Sequence, residues 1–153
     1  MTQLAPDDFT EIQQRVINKL SALGDQYKFD TYETDIPVGE NRPNAQHAIQ
    51  PYVLIDFGNK GQQDMGMQGI TGTRDNLKYL SVVFEIVSNN PAVTRRITNI
   101  VDDAFMGWSP DKTWGEFVNR IAAPMYSRQP SEGGEFYPPR YYRTVAYVVD
   151  VDA

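Results

Sequence analysis

Apolar positions recur along this chain with two different periods, and the switches between them mark out the elements. Phe9, Ile12, Val16, Leu20 and Leu23 stand three and four residues apart, the spacing that gathers side chains on one face of a helix. Asp8 and Glu11 have the spacing of a capping box, Pro6 lies just upstream, and Gly24 suits the position after the helix ends. Arg15, Asn18, Lys19 and Ser21 fall on the opposite side, where solvent is expected. The period then drops to two. Tyr27, Phe29 and Thr31 alternate with polar residues as far as Glu33, predicting a half-buried strand that Ile36-Pro37-Val38-Gly39 brings to an end. Tyr52 to Phe57 is almost continuously apolar, opened by Pro51 and closed by Gly58, which predicts a central strand or one covered on both faces. Leu77 to Ser88 predicts the longest strand, with Leu80, Val82, Phe84 and Ile86 on one face and Tyr79, Ser81, Val83, Glu85 and Val87 on the other.

The helical period returns after Asn89. Asn90 is placed as an N-cap and Pro91 as the first helical residue; Val93, Ile97, Ile100, Val101, Ala104 and Phe105 make an apolar stripe, and Gly107 stops it. Trp108 to Thr113 reads as a turn, Phe117 to Ala122 as a short strand, and Tyr141 to Val151 as the last strand. Phe105 and Trp108 are the expected core anchors of the second helix. This order predicts an α+β fold: a two-layer sandwich with a mostly antiparallel or mixed sheet of four to five strands and two amphipathic helices on one face. Residues 1–153 read as one domain, with flexible loops at about 37–50, 58–76 and 127–139. The second of these joins two strands of a predicted hairpin. It holds five of the eleven glycines, a density that resists regular structure, yet also Met65, Met67 and Ile70. It reads either as a solvated hairpin tip or as an arm that orders against a neighbour, with Met65, Met67, Ile70 and Arg74 at the contact.

Composition narrows the chemistry. The absence of cysteine excludes disulfides, thiolate zinc sites, iron–sulfur clusters and a cysteine nucleophile, and the single histidine excludes a multi-histidine metal centre. That histidine, His47, sits in a polar loop with no serine elbow to serve, and reads as a solvated side chain. Asp102 and Asp103 are adjacent, and Asp56 ends an apolar strand. Acid–base or metal chemistry needs such carboxylates to converge, whereas neighbouring helical residues point about 100° apart. A solvated helix face is expected, with no catalytic residue, metal or cofactor. Fourteen basic residues against twenty acidic ones give a net charge of −6, a field that repels nucleic acid. Arg140-Tyr141-Tyr142-Arg143 interleaves cations with rings. That pattern suits base stacking, or an edge strand in which arginine covers a tyrosine, and the acidic whole favours the second. The apolar runs Tyr52–Ile55 and Val145–Val149 are too short to span a bilayer, and Met1 to Asp8 has neither the basic region nor the apolar core of a signal peptide, so synthesis in a cytoplasm is expected.

The organisation resembles that of the tail terminator proteins of long-tailed bacteriophages. The resemblance rests on an acidic chain with an N-terminal helix, a hairpin with a long tip and a second helix opened by Asn-Pro. It also rests on the phrase Val101-Asp102-Asp103-Ala104-Phe105-Met106-Gly107-Trp108-Ser109-Pro110 and on a closing strand that starts with Arg140 to Arg143. It runs from about Asp8 to Val151. It implies a virion protein that forms a homo-oligomeric ring, a hexamer, caps the tail tube protein, stops its polymerisation and meets the head–tail connector protein, with genomic DNA passing through the lumen without specific binding. Another head–tail connector component, adaptor or stopper, is the nearest alternative. A small hydrolase using Asp56, Asp102 or Asp103 and a monomeric cellular binding module are the others.

Overall fold

The computed structural model describes residues 6–41, 48–58, 61–62, 78–122, 124–128 and 139–150, without the side chains of residues 6–9, 61, 62, 78, 119–122 and 128. In chain order the elements are α1 (Pro6–Tyr27), β1 (Asp30–Glu33), β2 (Tyr52–Phe57), β3 (Gly61–Gln62), β4 (Lys78–Ser88), α2 (Pro91–Phe105), β5 (Val118–Ala122), β6 (Tyr126–Arg128) and β7 (Arg140–Asp150). The strands form one sheet in the order β1-β2-β4-β7-β5. The short strand β3 follows β2 along β4, and β6 follows β5 along β7, so the sheet has five strand positions. β1 and β2 run parallel, and the other described pairs are antiparallel. This is the expected α+β fold, with a mixed, open sheet.

Sequence and structure agree most closely at the sheet's centre. β4 lies between β2 and β7, and Leu80, Val82, Phe84 and Ile86 are fully buried with Val53, Ile55, Val145, Tyr147 and Val149 beside them on the same face. Ile12, Val16 and Leu20 of α1 and Ile97, Val101 and Phe105 of α2 close that face. Asn90 caps α2 as its residue type requires: its side-chain oxygen accepts from Ala92 N–H at 2.8 Å, and Pro91 opens the helix. Gly107, at φ +77°, turns the chain out of the helix.

Several expectations need correction. α1 begins at Pro6, so Asp8 lies in its first turn rather than at the cap, and the helix runs through Gly24 to Tyr27. The glycine marks a contact point inside the helix and not its end: a Cβ there would stand 2.5 Å from the Phe29 carbonyl oxygen. The first strand is correspondingly shorter than the alternation from Tyr27 predicts. Residues 127 and 128, expected in a loop, pair with β7 as part of β6. Gly61 and Gln62, inside the expected hairpin tip, pair with β4. Most importantly, β7 is not an edge strand. At Arg140 to Tyr142 it is paired with β6 on one side, and at Tyr141 to Arg143 with β4 on the other.

Two groups of contacts escape simple patterning. Phe84, Phe105, Phe117 and Tyr147 form a knot with ring centroids 4.9–5.8 Å apart, tying α2 to β4, β7 and the residue before β5. Trp108 packs edge-on against Phe105 at 5.6 Å, which places both expected anchors at the core. Thr94 and Thr98, inside the stripe of α2, are buried with their hydroxyls bonded: Thr94 Oγ1 donates to the Tyr141 carbonyl at 3.1 Å and Thr98 Oγ1 to the Thr94 carbonyl at 2.7 Å.

Candidate assembly surface

Strand alternation gives the sheet a second face, turned away from the helices. On it stand Tyr32 of β1, Tyr52, Leu54 and Asp56 of β2, Val83, Glu85 and Val87 of β4, and Tyr142, Thr144, Ala146 and Val148 of β7. The two ends of this face differ.

One end is closed. Ile49, in the segment expected to be a loop, is buried with Tyr52, Val87 and Tyr142, and Tyr32, Ile36 and Leu54 pack around them. Tyr32 meets Tyr52 edge-on at 5.9 Å, and Tyr126 stacks on Tyr142 at 5.1 Å. Arg140 clamps the group: Nη1 donates to Tyr52 Oη at 3.2 Å, Nη2 to the Asn41 carbonyl at 3.3 Å, and the guanidinium lies 5.8 Å from the Tyr52 ring centroid. Burial raises the Tyr52 pKa against the opposing pull of this cation. The expected covering of a tyrosine by arginine is thus realised, from an interior strand. Of the remaining candidates here, Tyr141 and Arg143 turn to the helix side, opposite Ser88 and Ile86.

The other end is more open. Val83, Ala146 and Val148 are only partly covered, and Val118 of β5, opposite Val148, is 61% exposed. Asp56 is exposed beside them.

The carboxylates singled out from sequence do not meet. Asp56 belongs to the open face, whereas Asp102 is on α2, where its Oδ1 accepts from Tyr147 Oη at 2.5 Å; Asp103 is exposed. Asp102 therefore fastens α2 to the sheet. Arg15 and Lys19, expected in solvent, also hold α1 in place. Arg15 binds Glu11 at 2.8 Å and Asp111 at 2.9 Å, and Lys19 Nζ lies 4.9 Å from the Trp108 ring centroid. Hydrogen bonds from Thr113 N–H and hydroxyl, with Arg15, bring the Asp111 pKa down to about 2. Trp114 and Phe117, unremarkable in sequence, are buried. Their only signal was aromatic spacing after the turn.

A groove of about 440 Å³ lies against β1, lined by Ser21, Asp25, Phe29, Asp30, Thr31, Tyr32, Glu40 and Asn41. Partial burial, with Asp30 and Glu40 nearby, pushes the Tyr32 pKa up to about 12. Among the described residues no three acidic or histidine side chains are grouped to hold a metal, and no helix is long and apolar enough to cross a membrane. His47, Met65, Met67, Ile70 and Arg74 lie outside the described residues. Comparison with models of known families and with curated proteins finds no match.

Proposed function

We propose that this chain is a ring-forming tail terminator of a long-tailed bacteriophage, a structural virion protein at the head-proximal end of the tail. The observation that carries the reading is the half-covered sheet. A chain whose helices close one face, and whose other face is left with Val83, Val118, Ala146 and Val148 partly or largely open, has surface suited to another protein. The order of elements and the Val101–Pro110 phrase, which seats Phe105 and Trp108 at the core, support the terminator class in particular.

In this reading the subunits form a closed ring, a hexamer, through two different patches per chain. One axial surface meets the tail tube protein and ends its polymerisation; the other meets the head–tail connector protein. Met65, Met67, Ile70 and Arg74, which lie outside the described residues, belong to the arm that one subunit lends to the next. The net charge of −6 lets genomic DNA pass through the lumen without binding. The protein uses no cofactor and makes no bonds.

The test adds purified protein to polymerising tail-tube subunits. Tubes of capped length carrying the protein at one end are the expected result. Unchanged tube growth, with the protein instead bound to connector rings, would reassign it to an adaptor or stopper.

A further inference from the structure

Resting on the ring reading, we infer that neighbouring subunits join sheet to sheet: the outer edge of β1 in one copy pairs antiparallel with the outer edge of β5 and β6 in the next. Among the described residues, no strand lies beyond β1 at one margin of the sheet or beyond β5 and β6 at the other. Asp30 N–H donates to the Pro51 carbonyl and Thr34 N–H to the Ile55 carbonyl, so the residues turned toward β2 are Asp30, Tyr32 and Thr34. By alternation the N–H and carbonyl of Thr31 and the N–H of Glu33 point outward, while the Glu33 carbonyl accepts from Asp35 N–H at 2.7 Å. The groove lies alongside this edge.

Strand direction fits such a junction. β1 and β2 run the same way, β4 reverses, β7 reverses again, and β5 and β6 reverse once more. The two margins therefore run in opposite directions. When a copy is placed beside another without inverting it, its β5–β6 margin meets β1 antiparallel, the better ladder. The parallel pair β1 with β2, the one such pair among the described residues, is what produces this match. An antiparallel β1 would leave two margins running the same way.

Charge fits as well. Residues 25–41, around the β1 margin, carry Asp25, Asp30, Glu33, Asp35 and Glu40 against Lys28 alone. The strands at the other margin, β5 and β6, include Arg120 and Arg128 in their sequences and no acid. Opposite charges draw unlike margins together, and like charges oppose β1 meeting β1, so the contact is head-to-tail. Val118 and Tyr126, 61% and 42% exposed, supply apolar surface at the basic margin.

The chain has no cysteine, so introduced thiols report the junction without interference. The double variant Glu33→Cys/Ser127→Cys is treated with a short bismaleimide, beside wild-type protein weighed by native mass spectrometry. A covalent ladder ending at the native ring mass is the expected result. A ladder without an end would keep the edge pairing and overturn ring closure. The two single variants are also mixed and treated in the same way. Wild-type rings, with links in that mixture only between two copies of Glu33→Cys or two copies of Ser127→Cys, would overturn the edge pairing and leave the ring reading standing. A wild-type chain that stays single at every concentration would overturn both. Glu33→Lys/Asp35→Lys checks the charge argument without thiols: self-association should weaken about tenfold or more, and adding Arg128→Glu should recover part of it. Association unchanged by the lysines would also overturn the edge pairing.

Discussion

The two faces of this sheet share the same strands, one lined almost wholly by apolar side chains and the other by a mixture that includes Asp56, Ser81, Glu85 and Thr144, and they end in different states. On the helix side Leu80, Val82, Phe84 and Ile86 of β4 are sealed beneath α1 and α2. On the other side one end is sealed by Ile49, Ile36 and a row of tyrosines, and the rest is left partly open. The difference follows in part from the strands, which put their polar residues on one side, and in part from what the chain places over them. Two amphipathic helices are enough to cover one face, and a few loop residues cover a corner of the other. Apolar character at Val83 or Val148 thus means something different from the same character at Val82 or Val149, one residue away. The first pair stays partly exposed, and the second holds the subunit together.

The sharpest way to break this contrast is to cut into the sealed face. Phe105→Ala removes the ring at the middle of the aromatic knot and should cost about 3–5 kcal/mol in chemical denaturation. A loss below about 1 kcal/mol would mean the face is not packed as described. Next is the polar fastening of the same face. Asp102→Ala takes away the carboxylate that receives the Tyr147 hydroxyl and should cost about 1–3 kcal/mol, with Asp103→Ala near zero as the control. Equal effects at the two positions would remove Asp102 from its role.

On the open side the expectation reverses. Val118→Ser should change subunit stability by no more than about 0.5 kcal/mol. It should nonetheless weaken self-association, read by sedimentation velocity. The smallest effect is the Arg15–Asp111 contact between α1 and the turn after α2. With the Asp111 pKa lowered from 3.8 to about 2 on folding, its contribution is present above the unfolded value and fades as pH falls through about 2. The difference in urea midpoint between wild type and Asp111→Asn should hold steady from pH 7 to about 5, shrink as pH falls from about 4, and be mostly gone once pH reaches about 2. A difference that persists at pH 2 would show that charge is not its source.

How far these features were legible in the sequence follows from the same contrast. The central strands and α2 could be read because local signals agree with tertiary environment: alternation in β4, and Asn90-Pro91 at a helix start. The first helix was read too short because Gly24 is a stop signal locally and a close-packing site in the fold. The place of β7 could not be read, since cations beside tyrosines mark an edge only if no strand follows in space, and β6 is three residues long. Asp102 looked like a member of an acidic pair; its partner, Tyr147, is 45 residues away and on another element. The open face was present in the mixed pattern Tyr79, Ser81, Val83, Glu85 and Val87, but alternation alone does not say whether such a face is covered.

The claim on which the rest depends is that the chain acts by joining copies of itself. Native mass spectrometry of the purified protein across a concentration series measures this directly. One closed species of fixed subunit number, six in the terminator reading, growing at the expense of the single chain is the predicted result. A single chain at every concentration would contradict the account.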